Sequence, residues 1–188
     1  DRPWHVLTLS AQTESALRTH AAHYANWLHE HAEIGLAAVC HTANAGRRHL
    51  PERIALAVKN LHDRQQTAGA LAAYAAGETR HGILSGRVHK PAKLAMLLTG
   101  QGAQYTGMGK RLYESEEVFR EALDACAKVL DPLLDRPILP VIFGESEGEL
   151  LHQTAYTQPV LFALETSLTQ LWASWGVHPR GVLGHRLG

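Results

Sequence analysis

Several residue types are scarce in this sequence, and each scarcity excludes a class of protein. Only two cysteines, Cys40 and Cys126, occur among 188 residues, which excludes a disulfide framework because such scaffolds are rich in cysteine. An excess of one charge sign is also lacking, since 18 Lys and Arg balance 18 Asp and Glu. This balance gives no indication of a nucleic-acid or membrane-surface partner.

Long apolar runs are lacking as well. No stretch approaches the roughly 20 apolar residues of a membrane span, and the first residues, DRPWHVLTLS, lack the layout of a signal peptide. We therefore expect a soluble, cytoplasmic protein whose two cysteines are reduced and buried.

Histidine, in contrast, is abundant, with 13 copies. His20 and His23 would share one face of a helix, as metal ligands can, whereas His29 and His31 would point apart. No H-E-x-x-H or C-x-x-C spacing occurs in the chain. We expect solvated or capping histidines, no metal ion and no other cofactor.

The first half of the chain has the pattern of a small α/β unit. The stretch WHVLTLSA alternates as a strand does, and Thr13 is placed as the N-cap of a helix with Glu14 in its first turn. A helix over 34–42, a strand over 52–58 and a helix over 61–76 follow, and Gly77 is placed to cap the last helix. The predicted buried stripes of the two long helices are Leu17, Ala21, Tyr24 and Leu28, then Leu61, Gln65, Ala68, Ala72 and Ala75.

A boundary segment over 81–93, called the seam below, precedes the second half. It contains glycine and lysine and has little apolar periodicity. There the apolar run 93–99 predicts a strand buried on both faces. A helix capped by Ser115 is predicted next, then a helix that begins near Thr157 and ends at Gly176, and a short strand over 181–183. The predicted buried stripes of these helices are Val118, Phe119, Ala122, Cys126 and Val129, then Leu161, Leu164, Leu168, Leu171 and Trp175.

Glycine-rich segments follow two predicted strands of this half, GQGAQ at 100–104 and GHRLG at 184–188. Ligand sites of open α/β sheets lie at the carboxyl ends of parallel strands, so we expect a site there. The fold class is therefore α/β, with a small α/β domain over 1–90 followed by a parallel α/β unit over 91–188.

The segment GHRLG has the spacing of the G-x-S-x-G nucleophile elbow, with Arg186 at the serine position. Arginine stays protonated and has no lone pair free to attack a carbonyl. Two interpretations of Arg186 are open: it binds an anion at the elbow, or its head lies in solvent, which is the commoner arrangement of arginine.

In this order, GQGAQ, TQPVLFALE and GHRLG resemble the malonyl-CoA:acyl-carrier-protein transacylase family, as found in acyltransferase domains of modular polyketide synthases. The resemblance covers 96–188, and the first half, from RPWHVLTLSAQ to SGRVHKPAK, resembles the linker between ketosynthase and acyltransferase. It implies that Arg186 stands at the nucleophile position, next to His185. It further implies Gln101 and Leu187 as backbone N–H donors of the oxyanion hole and Gln158 as a polar pocket residue.

In that family, the elbow serine takes an acyl group from a CoA thioester and passes it to a carrier thiol. The family's catalytic histidine and its carboxylate-binding arginine lie beyond the elbow, where this sequence stops. We expect no acyl transfer by the chain as given, and none from Arg186→Ser alone.

Two hypotheses follow from the resemblance. The first is a non-catalytic adaptor that positions neighbouring synthase domains, namely a ketosynthase, a carrier protein, or a loading GNAT-like or methyltransferase domain. Its two-stranded sheet would leave Leu183 and Leu187 without cover and so contact a neighbour or a second copy. The alternative is part of an active acyltransferase that loads malonyl or related units from CoA onto carrier protein. The ordered motifs disfavour an unrelated α/β domain.

Overall fold

Two compact units make up the chain, Asp1–Pro91 and Ala92–Gly188. The computed structural model describes residues 4–59, 63–78, 82–90, 93–145 and 149–184. Each unit mixes helices with a sheet, so the α/β class predicted from the sequence is confirmed. None of the described helices combines the length and apolarity needed to cross a lipid bilayer.

The first unit is a three-stranded antiparallel sheet with helices packed on one face. The strand order is β1-β2-β3, with Leu7 opposite Leu56 and Ile54 opposite Ser85. Alternate residues of β1 and β2 are buried against the helices, as expected for a sheet covered on one side. The elements are β1 (Trp4–Ala11), α1 (Glu14–Glu30), α2 (Leu36–Ala45), β2 (Glu52–Lys59), α3 (Arg64–Ala75) and β3 (Ile83–Arg87).

Both predicted caps of the first unit are confirmed. The Thr13 hydroxyl oxygen accepts the N–H of Ala16 at 3.2 Å, so α1 begins where the sequence predicts. At the end of α3, Gly77 has φ +89°, and its N–H donates to the Tyr74 carbonyl. The N–H of Glu78 reaches back to Ala73, which completes the glycine-dependent helix ending.

Other predictions for this unit were wrong in detail. The second helix starts and ends later than 34–42, and in α1 Ala25 is buried while Tyr24 is half-buried. In α3, Gln65 and Ala72 are exposed, because Leu71 offers more apolar area than the alanines and the helix turns it to the core. The residues of α3 that are buried are Thr67, Ala68 and Leu71, and Leu61 lies outside the described residues. The strand β3 occupies part of the predicted seam.

The second unit combines a parallel pair of strands with four α-helices among its described residues. Ala95 lies opposite Gly181 and Leu98 opposite Gly184, which confirms the predicted parallel pairing. Its core is built mainly from α5, α6 and α7, around Phe119, Ile142 and Val160. The elements are β4 (Ala95–Leu98), α4 (Lys110–Ser115), α5 (Glu117–Leu130), α6 (Ile138–Phe143), α7 (Thr154–Ser174) and β5 (Gly181–Gly184).

The prediction for α5 was wrong at its start and along its face. Ser115 does not cap α5; it is the last residue of α4, and its hydroxyl donates to the Arg111 carbonyl instead. Val118 and Val129 are exposed, and Cys126 is only partly buried. Phe119 and Ala122 are buried as predicted, and Leu123 and Ala127 are buried beside them, so the buried face is rotated from the predicted one by about one residue.

The helix α7 begins at Thr154, three residues before the predicted start, with Pro159 inside it. The ring of Pro159 removes the N–H that would bond to Ala155, which is exposed, so water can bond that carbonyl instead. Leu168 and Trp175 lie at the surface rather than in the predicted stripe. The last residue of the helix is Ser174, and Gly176, which has φ +78°, follows its cap Trp175, close to the predicted end.

The strand β4 is not buried on both faces as predicted. Leu97 is 72% exposed, whereas Met96 is half-buried and its sulfur lies 3.7 Å from the Thr169 hydroxyl oxygen of α7. Within the described residues, the helices therefore partly cover one face of β4, while all of β5 is exposed. Leu183 on β5 is 68% exposed, which confirms that it lacks cover, and Leu187 lies outside the described residues.

Candidate functional site

The carboxyl ends of β4 and β5 lie side by side, because the strands are parallel and Leu98 pairs with Gly184. The GQGAQ segment begins two residues after Leu98, at this same edge. His185, Arg186 and Leu187 come directly after Gly184 in the sequence and lie outside the described residues. The structure thus brings the first predicted segment to the edge where the second one starts.

The carboxylate of Glu165 on α7 binds Thr99, the residue between β4 and the GQGAQ loop. The backbone N–H and the hydroxyl of Thr99 both donate to Oε1 of Glu165, at 2.5 Å and 2.8 Å. Hydrogen bonds to an ionised acceptor are among the stronger ones in proteins. Glu165 therefore fixes the residue that directly precedes Gly100 and Gln101.

The loop itself folds back on its own side chains. Gly102 has φ +114°, which side-chain-bearing residues rarely adopt. Its N–H donates to the Gln104 side-chain oxygen at 2.8 Å, and the Gln104 amide nitrogen lies 3.3 Å from Nδ1 of His152. The glycine and the glutamine of this motif thus have direct structural roles in shaping the loop.

Gln101 is exposed, and its amide donates to the Thr154 hydroxyl at the start of α7, at 3.2 Å. Gln158 lies four residues further along α7, one helical turn from Thr154 on the same side, and is half-buried. The structure therefore brings Gln101 to the helix end that carries Gln158. The oxyanion-hole and pocket roles of these two residues stay predictions.

A cavity of about 340 Å³ lies between β4 and α7, beside the loop. Its wall is mostly apolar, with Met108, Leu164 and Trp172 among its members, and Thr99, Glu165 and Thr169 supply polar groups. Apolar clefts with a few convergent polar groups are the usual form of small-molecule sites. Within the described residues, no three His, Cys, Asp or Glu side chains come together as metal ligands would.

Sequence reasoning missed three residues that build this site, Glu165, Thr154 and His152. Glu165 did leave a signal, because it is the one charged residue of the 21-residue helix α7. A lone carboxylate on such a helix is expected to have a hydrogen-bonding partner. Thr154 and His152 carried no comparable pattern.

Two known families match separate parts of the chain, and these parts correspond closely to the two structural units. Residues 96–188 match the family described as "Acyl transferase domain", and residues 5–67 match the family described as "CurL-like, PKS C-terminal". Residues 96–188 belong to the acyltransferase-domain family of polyketide synthases. The family expected from GQGAQ, TQPVLFALE and GHRLG is thereby confirmed.

Relatives of this acyltransferase-type chain are much longer proteins. It is 38% identical over 185 residues to the PKS-NRPS hybrid synthetase ATPKS of Aspergillus niger, covering 96% of this chain and 10% of that synthetase. The acyltransferase domain of ZmaA superposes with a TM-score of 0.90 at 28% identity, over 100% of this chain and 43% of that one.

The acyltransferase domain from module 8 of the salinomycin polyketide synthase gives a TM-score of 0.87 at 29% identity, over 100% of this chain and 44% of that one. The chain thus spans a tenth of the ATPKS synthetase and less than half of either solved domain.

Proposed function

We propose that this chain serves in a polyketide synthase as a non-catalytic, acyltransferase-type adaptor that holds neighbouring domains. One observation carries the proposal: Arg186 stands where the elbow motif has its serine. A guanidinium has no lone pair for attack on a thioester. Loss of the nucleophile alone lowers the rate of a serine enzyme by roughly 10⁶-fold.

The rest of the site retains an acyltransferase-like framework in this proposal. The roles assigned by resemblance are backbone N–H donation to an oxyanion by Gln101 and Leu187, and lining of the pocket by Gln158 and His185. The hydrogen bonds of Thr99 with Glu165 and of Gln101 with Thr154 support such a framework, since they hold the loop in one conformation. Without a nucleophile, this framework has a structural use only.

The partners in this proposal are the neighbouring domains of the same synthase. They are a ketosynthase, an acyl carrier protein, or a loading GNAT-like or methyltransferase domain, with Asp1–Pro91 acting as the linker-like domain. The exposed apolar face of the strand pair, where Leu97 lies opposite Leu183, supports this role. Contiguous exposed apolar residues commonly mark protein contact sites.

The second candidate function is that of a part of an active acyltransferase, which loads malonyl or related units from CoA onto carrier protein. The ordered GQGAQ loop at the carboxyl ends of parallel strands favours it, because oxyanion-hole donors must be preorganised. The two functions differ in whether the chain ever carries an acyl group.

Intact-mass spectrometry after incubation with malonyl-CoA tests the non-catalytic proposal. We expect no acyl adduct on the purified chain. An active acyltransferase domain, treated in the same way, is the positive control and should carry the adduct. A stoichiometric malonyl adduct, located by peptide mapping to 184–188, would contradict the non-catalytic proposal and support the loading function.

A further inference from the structure

A turn of the first unit presents two adjacent arginines, Arg47 and Arg48, and is fastened firmly to β1. The hydroxyl of Ser10 donates to the Arg48 carbonyl at 3.3 Å and accepts the N–H of Leu50 at 2.9 Å. A single serine thus holds both sides of the turn against the edge of the sheet.

Asn44 fastens the start of the same turn. Its side-chain oxygen accepts both the N–H and the hydroxyl of Thr8, at 3.1 Å and 2.7 Å, and its amide donates to the Val6 carbonyl at 2.6 Å. The Nε2 atom of His49 lies 2.9 Å from the Asn44 carbonyl oxygen. With so many bonds, the backbone that carries the two arginines is preorganised, which lowers the entropy lost when a ligand binds.

A cleft of about 170 Å³ lies beneath this turn. Arg47, Arg48 and His20 line it, together with the hydroxyl-bearing residues Ser10 and Tyr24, and no acidic residue is among the described residues of its wall. No described carboxylate lies within ion-pair distance of either guanidinium. Guanidinium groups match the oxygens of phosphate with paired N–H donors, so the cleft suits a phosphate group.

A larger cleft of about 400 Å³ adjoins the first, and Tyr24 and Arg47 line both. Its other walls are mainly apolar, from Trp27, Ile34 and Val39 with Ala38 and Thr42. Trp27 and Ile34 pack on the core of the unit, which fixes this surface. A ligand that spans both clefts therefore has a charged end and an apolar body.

We propose that the first unit binds a soluble phosphate ester that carries an apolar chain. The phosphate lies against Arg47 and Arg48, and the chain lies along Trp27, Ile34 and Val39. This site is separate from the proposed adaptor function, because it belongs to Asp1–Pro91 and involves no residue of the acyltransferase-type unit.

Isothermal titration of the 188-residue chain with octyl phosphate, below its micelle concentration, tests this site. We expect binding about tenfold or more tighter than that of inorganic phosphate or of 1-octanol, since each probe lacks one half of the ligand. Equal affinities for octyl phosphate and inorganic phosphate would overturn the proposal, as would the lack of saturable binding.

Two matched pairs of variants locate the site. Arg47→Gln should weaken octyl phosphate binding about tenfold, while Arg111→Gln, an exposed arginine of α4, should change it less than about twofold. Ala38→Leu should fill the apolar cleft and weaken binding, while its exposed neighbour Ala37→Leu should not. Unchanged affinity in Arg47→Gln would overturn the site.

Phosphate esters with apolar chains also occur as membrane lipids, so a second experiment tests binding to vesicles. Sedimentation with vesicles of phosphatidylcholine and phosphatidic acid should recover little protein. Strong, Arg47-dependent binding to these vesicles without binding of octyl phosphate would overturn the soluble-ligand proposal.

Discussion

Gly109 occupies a crowded position where a left-handed backbone enters α4. Its φ is +76°, and a Cβ built there would lie 2.7 Å from Cδ2 of Leu164 and 3.2 Å from Cζ of Phe119. Both neighbours are buried, so neither can move aside freely. Gly176 has nearly the same φ, +78°, but a Cβ there meets nothing within 4 Å.

Alanine substitutions at Gly109 and Gly176 separate the cost of backbone strain from the cost of overpacking. Gly176→Ala should lower the free energy of unfolding by about 1–2 kcal/mol, the cost of a left-handed conformation for alanine. Gly109→Ala should lower it by about 2–5 kcal/mol, because overpacking adds to that strain. Urea unfolding followed by tryptophan fluorescence measures both, and equal losses would contradict the crowding at Gly109.

The buried thiol of Cys40 makes the free energy of unfolding of the first unit depend on pH in the alkaline range. Burial raises the pKa of its thiol from 9.0 to about 11, because the apolar surroundings disfavour the thiolate. The unfolded chain therefore loses this proton at lower pH than the folded one. The resulting stabilisation is complete below pH 9 and is lost as the pH rises towards 11.

We expect the free energy of unfolding of the wild type to fall by about 2–3 kcal/mol more than that of Cys40→Ala between pH 9 and 11. Chemical denaturation of both proteins at several pH values measures this difference, and other titrating groups cancel because both chains contain them. Parallel pH profiles for the two proteins would show that the Cys40 thiol is not buried.

At the scale of the elements, α5 is the sharpest test of the helix packing. Leu123→Ala should lower the free energy of unfolding by about 2–5 kcal/mol, because Leu123 is fully buried. Val129→Ala should change it by less than about 0.5 kcal/mol, since Val129 is 68% exposed. Thermal or urea unfolding checks both, and a large loss for Val129→Ala would favour the face predicted from periodicity.

Elements with strong local signals were predictable from the sequence. The alternation of 4–11, the Thr13 cap and the glycine at 77 each act within a few residues, and the structure has all three. The strand β3 had no such signal, since Leu84 is 78% exposed and pairing with β2 creates the strand. In α5, Val118 and Val129 have the right spacing, and competition with the larger Phe119 and Leu123 turns them outward.

The candidate site was predictable only in part, for a related reason. The parallel strand pair brings Gly100 and Gln101 to the expected edge, because the carboxyl ends of parallel strands lie at the same edge of a sheet. The bonds that shape the loop join residues distant in sequence, Thr99 with Glu165 and Gln101 with Thr154. Such pairings arise from the tertiary fold and leave no local periodicity.

At the scale of the whole molecule, the strand pair of the second unit has an unusual surface. Leu97 and Leu183 are 72% and 68% exposed and lie opposite each other on one face of the two parallel strands. Covering a large aliphatic side chain stabilises a complex by about 1.5–3 kcal/mol. An adaptor that binds through this surface should therefore lose affinity when its leucines become polar.

Sedimentation velocity of the chain mixed with a polyketide synthase domain that adjoins it tests the proposed adaptor function most directly. We predict a stable complex, weakened about tenfold or more by Leu183→Ser. Val129→Ser, which alters an equally exposed side chain on α5, should leave the affinity unchanged. A monomeric chain without affinity for any adjoining domain, or equal affinity for the Leu183→Ser variant and the wild type, would contradict the adaptor function.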